Sequence, residues 1–189
     1  MIGQSQSEFT KAIRTKRFDV VNCNWIESYR VTEIWRNDDD VIQNLMLDKK
    51  YTNLQWMKRS RVNDKRYTHA IVDREKKKTI GSHKMSISDD GSAGLIIVVH
   101  SPRFHGKGVF EEVRAAIIDK FCHHPKIVRF GARVRARNFQ SIFNYQKLGF
   151  RFVGYQRKCL VNSLTKEHED IVLFEMLSED WISARGKND

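Results

Sequence analysis

Residues 94–112 read GLIIVVHSPRFHGKGVFEE, an apolar run followed by a loop with two glycines and by the start of a helical pattern. A strand that passes through such a loop directly into a helix places several unpaired backbone N–H groups at the positive end of the helix dipole. Glycine also lets a ligand approach the backbone closely, so a phosphate group is a natural occupant. An ordinary tight strand–helix connection would use glycine as well, and both interpretations stay open on the loop alone.

The residues around these glycines exclude the two common phosphate-binding loops. The segment HGKGVF lacks the GxxxxGK[ST] spacing of nucleoside triphosphatases. Glu111 stands where the GxGxxG pattern of dinucleotide-binding folds requires its third glycine. A different kind of phosphate site is therefore needed if the loop binds a nucleotide.

Strand and helix patterns alternate along the rest of the chain, which predicts an α+β (mixed α/β) fold with helices packed against a mixed sheet. With 40% apolar residues among 189, the chain can bury one core without disulfides or metal. We predict an N-terminal tail at 1–16, one domain at 17–178 and a C-terminal tail at 179–189. Strands are predicted at 18–23, 67–73, 79–88, 94–100, 126–134, 150–161 and 168–177, and helices at 25–37, 40–47, 52–63, 109–124 and 138–148.

The composition narrows the environment and the partners. The net charge of +11 favours an anionic partner such as nucleic acid, a membrane surface or a polyphosphate ligand, although a solvated basic surface explains it equally well. Cys23, Cys122 and Cys159 are far apart and form no CxxC pair, which argues for a reducing compartment and against a zinc site. The chain has no signal-peptide pattern and no membrane-spanning run, so we expect a cytoplasmic protein without bound metal.

The segments VVHSPRFHGKGVF (98–110) and NFQSIFNYQKLGFRFVG (138–154) resemble the signature segments of the GNAT acetyltransferase superfamily. The resemblance covers roughly residues 67–177 and implies a central mixed, mostly antiparallel sheet of six to seven strands. In that superfamily a loop written [QR]xxGx[GA] wraps the pyrophosphate of acetyl-CoA. The run from Arg103 to Gly108 satisfies this formula literally, but alignment on Pro102 and the following helix is preferred. That alignment assigns the loop to His105, Gly106, Lys107, Gly108, Val109 and Phe110, with His105 and Phe110 departing from the usual residue types.

The resemblance also implies roles for residues outside the loop. The backbone of Ile97, Val98 and Val99 would pair with the pantetheine arm of the cofactor in the manner of an added strand. Asn138 and Ser141 would contact the cofactor from the next helix, where Asn138 is equally suited to cap the helix. Tyr145 would protonate the departing CoA thiolate, since a phenol with a pKa near 10 keeps its proton until sulfur develops charge.

The reaction implied is direct attack of a neutral amine on the acetyl thioester. Many relatives that acetylate protein N-termini carry a glutamate that deprotonates the amine, and Arg133 stands at that position here. His100 and His83 are the candidate bases, unless the acceptor amine has a low enough pKa to need little help.

The N-terminal half is similar to the RimJ/RimL-like branch, and within it to PseH-like enzymes that acetylate a nucleotide-linked amino sugar. An anionic nucleotide sugar suits a basic cleft, and the predicted substrate-binding residues are Arg30, Trp35, Arg36, Asn37 and His83. Acetylation of protein N-termini, ribosomal proteins or polyamines is the alternative within the family. A non-catalytic nucleic-acid-binding module is the alternative outside it, although no recognised nucleic-acid motif is present. The expected partner is thus a small-molecule amine, with the protein a monomer or homodimer that does not bind membranes.

Overall fold

The computed structural model describes residues 8–47, 50–162 and 165–186, and their strands form one eight-stranded sheet in the order β1-β2-β3-β4-β5-β6-β8-β7. Neighbouring strands are antiparallel except β5 and β6, which are parallel. The strands are β1 (Ile13–Arg14), β2 (Phe18–Asn22), β3 (Arg66–Asp73), β4 (Lys78–Ile87), β5 (Ser92–Val99), β6 (Arg129–Arg135), β7 (Arg151–Val161) and β8 (His168–Leu177).

Helices flank both faces of this sheet. They are α1 (Trp25–Glu33), α2 (Asp39–Asn44), α3 (Asn53–Arg59), α4 (Val109–Phe121), α5 (Phe139–Lys147) and α6 (Ser178–Arg185), with a 3-10 helix at Pro102–Phe104. Side-chain caps begin several of them: Asp38 caps α2, Thr52 caps α3, and Asn138 caps α5 as the sequence allowed. The fold class predicted from the sequence, a mixed and mostly antiparallel sheet flanked by helices, is confirmed.

Two predicted boundaries lie inside the packed structure. The predicted N-terminal tail contains β1, which pairs with β2 through Ile13 and Val20, and the buried ring of Phe9. The predicted C-terminal tail falls largely within α6, where buried Trp181 donates from its indole nitrogen to Asp119 at 2.8 Å. These segments are too short for their periodicity to be read, and packing against α4 orders them. Residues 1–7 and 187–189 of the predicted tails lie outside the described residues.

The apolar side chains form two clusters, one on each face of the sheet. The larger lies beneath α4, whose buried stripe includes Val113, Ile117 and Phe121, all fully buried. The smaller contains Trp35, Trp56 and Val98, and lies beneath α1–α3. Val98 of β5 thus faces one cluster, whereas Ile97 and Val99 face the other, as strand alternation requires.

The sheet divides between its two parallel strands. β5 and β6 pair only from Ser92–Arg129 to Gly94–Gly131. Beyond that point β5 stays paired with β4 as far as Val99, and β6 stays paired with β8 as far as Arg135. Each strand therefore follows its antiparallel neighbour, and the edges of β5 and β6 separate to form a wedge-shaped opening.

Candidate active site

A cleft of about 750 Å³ occupies the opening between β5 and β6. Its walls come from the free edges of the two strands, and α4 and α5 close it from the side of the larger apolar cluster. The lining includes Leu95, Ile96, Ile97, Val98, Val99, Phe110, Arg114, Ala132, Arg133, Val134, Asn138, Ser141 and Tyr145. Sequence reasoning predicted seven of these: Ile97, Val98, Val99, Phe110, Asn138, Ser141 and Tyr145.

The glycine loop leads from the end of β5 into α4. Gly106 and Gly108 have φ angles of 70° and 69°, in the left-handed region that favours glycine, and Gly108 is the N-cap of α4. Among the described residues, the N–H groups of Gly106 and of residues 108–111 have no backbone acceptor. His105 turns back and its Nε2 lies 2.9 Å from the Val99 carbonyl, which ties the loop to the strand.

The loop fits a diphosphate. A side chain added at Gly106 would meet nothing within 4 Å, and one at Gly108 would meet only the Arg17 guanidinium at 3.8 Å, so the backbone is open to a ligand. Arg17 is held by Glu112 of α4, with its Nε 2.6 Å from Oε2. Unpaired amides at a helix N-terminus and a nearby cation are the features that bind phosphate. Arg17 escaped sequence reasoning because it is far from the loop along the chain.

Tyr145 lies on α5 at the point where the sheet divides. Its hydroxyl donates to the Leu95 carbonyl at 3.3 Å, and the side chain is buried against the rings of Phe150 and Phe174. Burial raises the pKa of the phenol above its usual value near 10, and the cation of Arg114 opposes that shift. The hydroxyl is therefore protonated at neutral pH and can serve as a proton donor within the cleft.

The start of α5 is joined to α2 across the mouth of the cleft. Asn138 accepts from the Ser141 amide at 3.0 Å as a helix cap, and its Nδ2 donates to Asn44 of α2 at 3.3 Å. Arg137 donates to Gln43 of α2 as well. Asn138 and Ser141 therefore border the cleft while also organising its wall.

The predicted substrate-binding residues of the N-terminal half lie away from the cleft lining. Trp35 is buried, donates to the Ser82 hydroxyl at 3.1 Å and packs edge-to-face on Trp56, so its ring is not available to a sugar. Arg36 is buried over the Tyr29 ring and is paired with Glu33 at 2.9 Å. Arg30 and Asn37 are exposed.

The two candidate histidine bases differ in accessibility. His83 is fully buried beneath α4, and burial, with smaller contributions from His69 and Arg114, holds the pKa of its imidazole well below 6.5. The structure therefore does not bring His83 to a substrate. His100 is half-buried just after β5, outside the cleft lining, and burial lowers its pKa although a backbone contact at Thr79 opposes the shift.

Lys84 is a further titratable group beside the cleft. It lies directly opposite Ile96 in the β4–β5 register, and opposed residues share one face of a sheet. Burial, together with the cation of Arg59, lowers the pKa of Lys84 to about 8. An alternating strand pattern predicts which residues share a face, but the burial that shifts this amine depends on helices distant in sequence.

Charges inside the cleft come mainly from arginines. Arg133 projects from β6, donates to Gln156 at 3.2 Å and forms no ion pair within the described residues. Arg114 projects from α4 and was not identified from the sequence, because a charged residue adjoining the apolar stripe of a helix is expected to be exposed. No group of His, Cys, Asp or Glu side chains suited to a metal ion occurs in the described parts of the chain. In the same ranges, no helix has the length and apolar character needed to cross a bilayer.

Comparisons with known proteins agree with this geometry. A curated relative, an N-acetyltransferase 9-like protein of Caenorhabditis elegans, is 26% identical over 131 residues, which are 68% of this chain and 59% of the relative. This chain thus spans less than two thirds of that protein.

Solved structures with the same fold include two enzymes from Vibrio. Spermidine N-acetyltransferase from Vibrio cholerae, in complex with CoA and spermine, has a TM-score of 0.75 at 14% identity, covering 88% of this chain and 98% of that one. Ribosomal-protein-S5-alanine acetyltransferase from Vibrio fischeri has a TM-score of 0.74 at 19% identity, covering 90% and 98%. The model of the acetyltransferase (GNAT) domain matches residues 18–151, which is more than half of the chain, and the chain therefore belongs to the GNAT acetyltransferase family.

Proposed function

We propose that this protein transfers the acetyl group of acetyl-CoA to a primary amine. The observation that carries the proposal is the hydroxyl of Tyr145 at the Leu95 carbonyl, where the sheet divides, in the same cleft as the free edge of β5. That edge leads to the glycine loop, which is tied to Val99 at the end of β5. This arrangement supplies a proton donor and an anion-binding loop, joined by an unpaired strand edge. Those are the elements needed to hold an extended thioester of a nucleotide.

The donor would be held mainly by backbone groups. The free amides of Gly106 and of residues 108–111 would bind the diphosphate, assisted by the Arg17 cation. The β5 backbone from Ile97 to Val99 would pair with the amide groups of the pantetheine arm, because β6 no longer pairs with it there. Side-chain identity matters little for such contacts, which is why an apolar IIVV run can serve.

Transfer would begin with attack of the neutral amine on the acetyl carbonyl, favoured by holding both reactants in one cleft. The new C–N bond forms as the C–S bond breaks, and Tyr145 donates a proton to the departing sulfur. The surplus proton of the amine passes to a base. Lys84 and His100 are the groups with lowered pKa values near β5 and can be unprotonated near neutral pH. His83 is not retained in this role because it is sealed from the cleft.

The acceptor we propose is an amine that also carries negative charge, with a nucleotide-linked amino sugar as the leading class. Arg133 faces the cleft with no carboxylate partner among the described residues, at the position where relatives that acetylate protein N-termini carry an acidic group. An unpaired cation attracts an anionic acceptor and repels a polyamine. The solved neighbours that act on spermidine and on a ribosomal protein mark the two other acceptor classes to be tested.

Release of free thiol from acetyl-CoA, measured with nucleotide amino sugars, polyamines and N-terminal peptides, tests the proposal directly. We expect turnover with the anionic amino sugars. Arg133→Glu should lower kcat/KM for those acceptors about tenfold or more and should raise kcat/KM for polyamines, because the sign of the charge facing the acceptor is reversed. Arg61→Glu, at an exposed arginine outside the cleft, is the matched control. Equal preference in both variants would contradict the acceptor assignment, and absence of thiol release with every amine would contradict the enzymatic one.

A further inference from the structure

Arg114 is a charged side chain buried in the floor of the cleft. It projects from the second turn of α4 and is 3% exposed. Its guanidinium carbon lies 4.2 Å from the centre of the Tyr145 ring and 5.8 Å from that of Phe110. Neither its Nε nor its Nη1 has a hydrogen-bond partner within the described residues.

No carboxylate within the described parts of the chain forms an ion pair with this cation. The titratable groups that face it are Tyr145 from α5 and His83 from β4, with His69 of β3 behind His83. Burial lowers the pKa of His69 to about 4 and that of His83 well below 6.5, so both imidazoles are neutral at pH 7. The adjoining stretch of β5, from Leu95 to Val99, carries only apolar side chains.

A buried guanidinium with unused donors is costly. Removing a charge from water is unfavourable unless a partner of opposite charge and hydrogen bonds replace the solvent. An apolar residue of similar size at position 114 would extend the buried stripe formed by Val113, Ile117 and Phe121. The contact with the Tyr145 ring offsets part of this cost but leaves the donors on Nε and Nη1 unused, so the missing partner is to be sought in a ligand.

We propose that Arg114 forms the binding site for the thiolate of CoA, the leaving group of the reaction. The inference rests on the proposed function. When the amine attacks, the electron pair of the broken C–S bond remains on sulfur, next to the hydroxyl of Tyr145. Since Arg114 lies against the face of that tyrosine ring in the same cleft wall, its cation stabilises the sulfur anion until Tyr145 delivers its proton. The proton that the base took from the amine then returns to the phenolate through solvent, which restores both groups.

Binding of CoA and of desulfo-CoA tests the site without requiring turnover. A thiol ionises with a pKa of about 8.5, so wild-type protein should prefer CoA over desulfo-CoA roughly ten times more strongly at about pH 9.5 than at about pH 6.5. Desulfo-CoA shares the phosphates and most of the pantetheine arm but lacks the thiol. The ratio of the two affinities therefore removes the effect of protein groups whose titration changes the binding of both ligands equally. In Arg114→Leu the preference should no longer depend on pH, whereas Arg114→Lys should retain part of the dependence. A pH dependence that is the same in the Leu variant and in wild type would overturn the inference.

Thermal unfolding of the ligand-free protein separates this role from a structural one. Removing an uncompensated buried charge should leave Tm unchanged or raise it by about 3 °C in Arg114→Leu, while kcat falls about a hundredfold. A lowered Tm together with unchanged kcat would mean that Arg114 serves the fold and would refute the thiolate site. If Arg114→Leu does not fold, Arg114→Gln, neutral and of similar length, takes its place in the binding measurement.

The outcomes also separate the inference from the proposed function. Loss of the CoA preference in the Leu variant, with no acetyl transfer by wild type, would support the anion site and contradict the enzyme. Robust transfer by both wild type and the Leu variant would support the enzyme and contradict the anion site.

Discussion

At the scale of single residues, the side chain of Tyr145 both packs in the core and places a hydroxyl at the cleft. Its ring packs on Phe150 and Phe174, while its hydroxyl reaches the Leu95 carbonyl at the cleft. A buried phenol with its pKa raised by burial holds its proton firmly in the resting protein. The packing that holds the ring in place therefore also holds the hydroxyl at the cleft.

Tyr145→Phe should lower kcat by about 10²- to 10³-fold and leave acetyl-CoA affinity nearly unchanged, because a positioned proton donor acts on the chemical step. The loss of one buried hydrogen bond should cost about 1 kcal/mol in the free energy of unfolding. Steady-state kinetics and calorimetry with acetyl-CoA provide the measurements. Tyr155→Phe, on exposed β7, is the matched control, and wild-type turnover in the Tyr145 variant would reject it as the acid.

Lys84 gives the reaction a distinctive pH dependence if it accepts the proton of the amine. Its pKa is lowered to about 8, so the neutral, basic form increases as pH rises through that value. We expect kcat to rise with pH and to level off above about pH 8. Lys84→Met should abolish this limb of the pH–rate profile.

Lys78→Met, at an exposed lysine at the start of the same strand, should keep the limb. If instead the profile is flat above pH 6.5 in every variant, and His100→Gln removes activity, the base is His100, whose pKa is lowered by burial.

The connection between β5 and α4, at the scale of elements, depends on backbone conformation more than on side chains. Gly108 has a φ of 69° and begins the helix whose free amides face the opening. His105 fastens the loop to the Val99 carbonyl, in place of the Gln or Arg usual at that position of the family's loop. His105 thus connects the loop to the end of β5 through its side chain.

Gly108→Ala should weaken CoA binding about tenfold, because an L side chain is strained by roughly 1 kcal/mol at this φ and relaxation would turn the amides away. Gly149→Ala is the control: its φ is 81° and it follows α5 outside the loop. Both variants should lose similar stability in thermal unfolding. Normal calorimetric affinity for CoA in the Gly108 variant would contradict the assignment of the loop.

The charge of the whole molecule bears on the acceptor. A net charge of +11 and the unpaired Arg133 in the cleft together produce a positive field around the opening. Such a field raises the local concentration of anionic ligands and is screened by salt over a Debye length of about 8 Å at physiological ionic strength.

KM for an anionic amino-sugar acceptor should therefore rise several-fold between about 0.05 and 0.5 M salt, with kcat little changed. A neutral amine assayed in parallel corrects for any effect of salt on acetyl-CoA. A KM that does not change with salt concentration would indicate that the excess positive charge lies on a solvated surface and does not attract the acceptor. Tight, salt-sensitive binding of RNA or DNA without acetyl transfer would instead favour the nucleic-acid-binding alternative.

Local patterns in the sequence were sufficient for the fold class, the order of the predicted strands and helices, the cap at Asn138 and the glycine turn between β5 and α4. Each of these features depends on residues that are close along the chain. Alternating apolar residues predict strands, and apolar residues at a helical spacing predict helices. A capping side chain binds the first free amides of a helix, and glycine permits a left-handed turn. The short strand β1 and the helix α6 were missed because packing, not pattern, stabilises them.

The environment of each cleft residue was decided only by the tertiary structure. Trp35, Arg36 and His83 were predicted to bind substrate, and all three are buried. Trp35 packs on Trp56 of α3, Arg36 lies over Tyr29 of α1, and His83 lies beneath α4. Arg114 and Lys84 carry no sequence signal. Arg114 is buried against Tyr145, which is distant in sequence, and Lys84 lies opposite Ile96 on the neighbouring strand. Solvation and the distance between charges determine what an ionisable group can do, and both are set by contacts that form only when the whole chain folds.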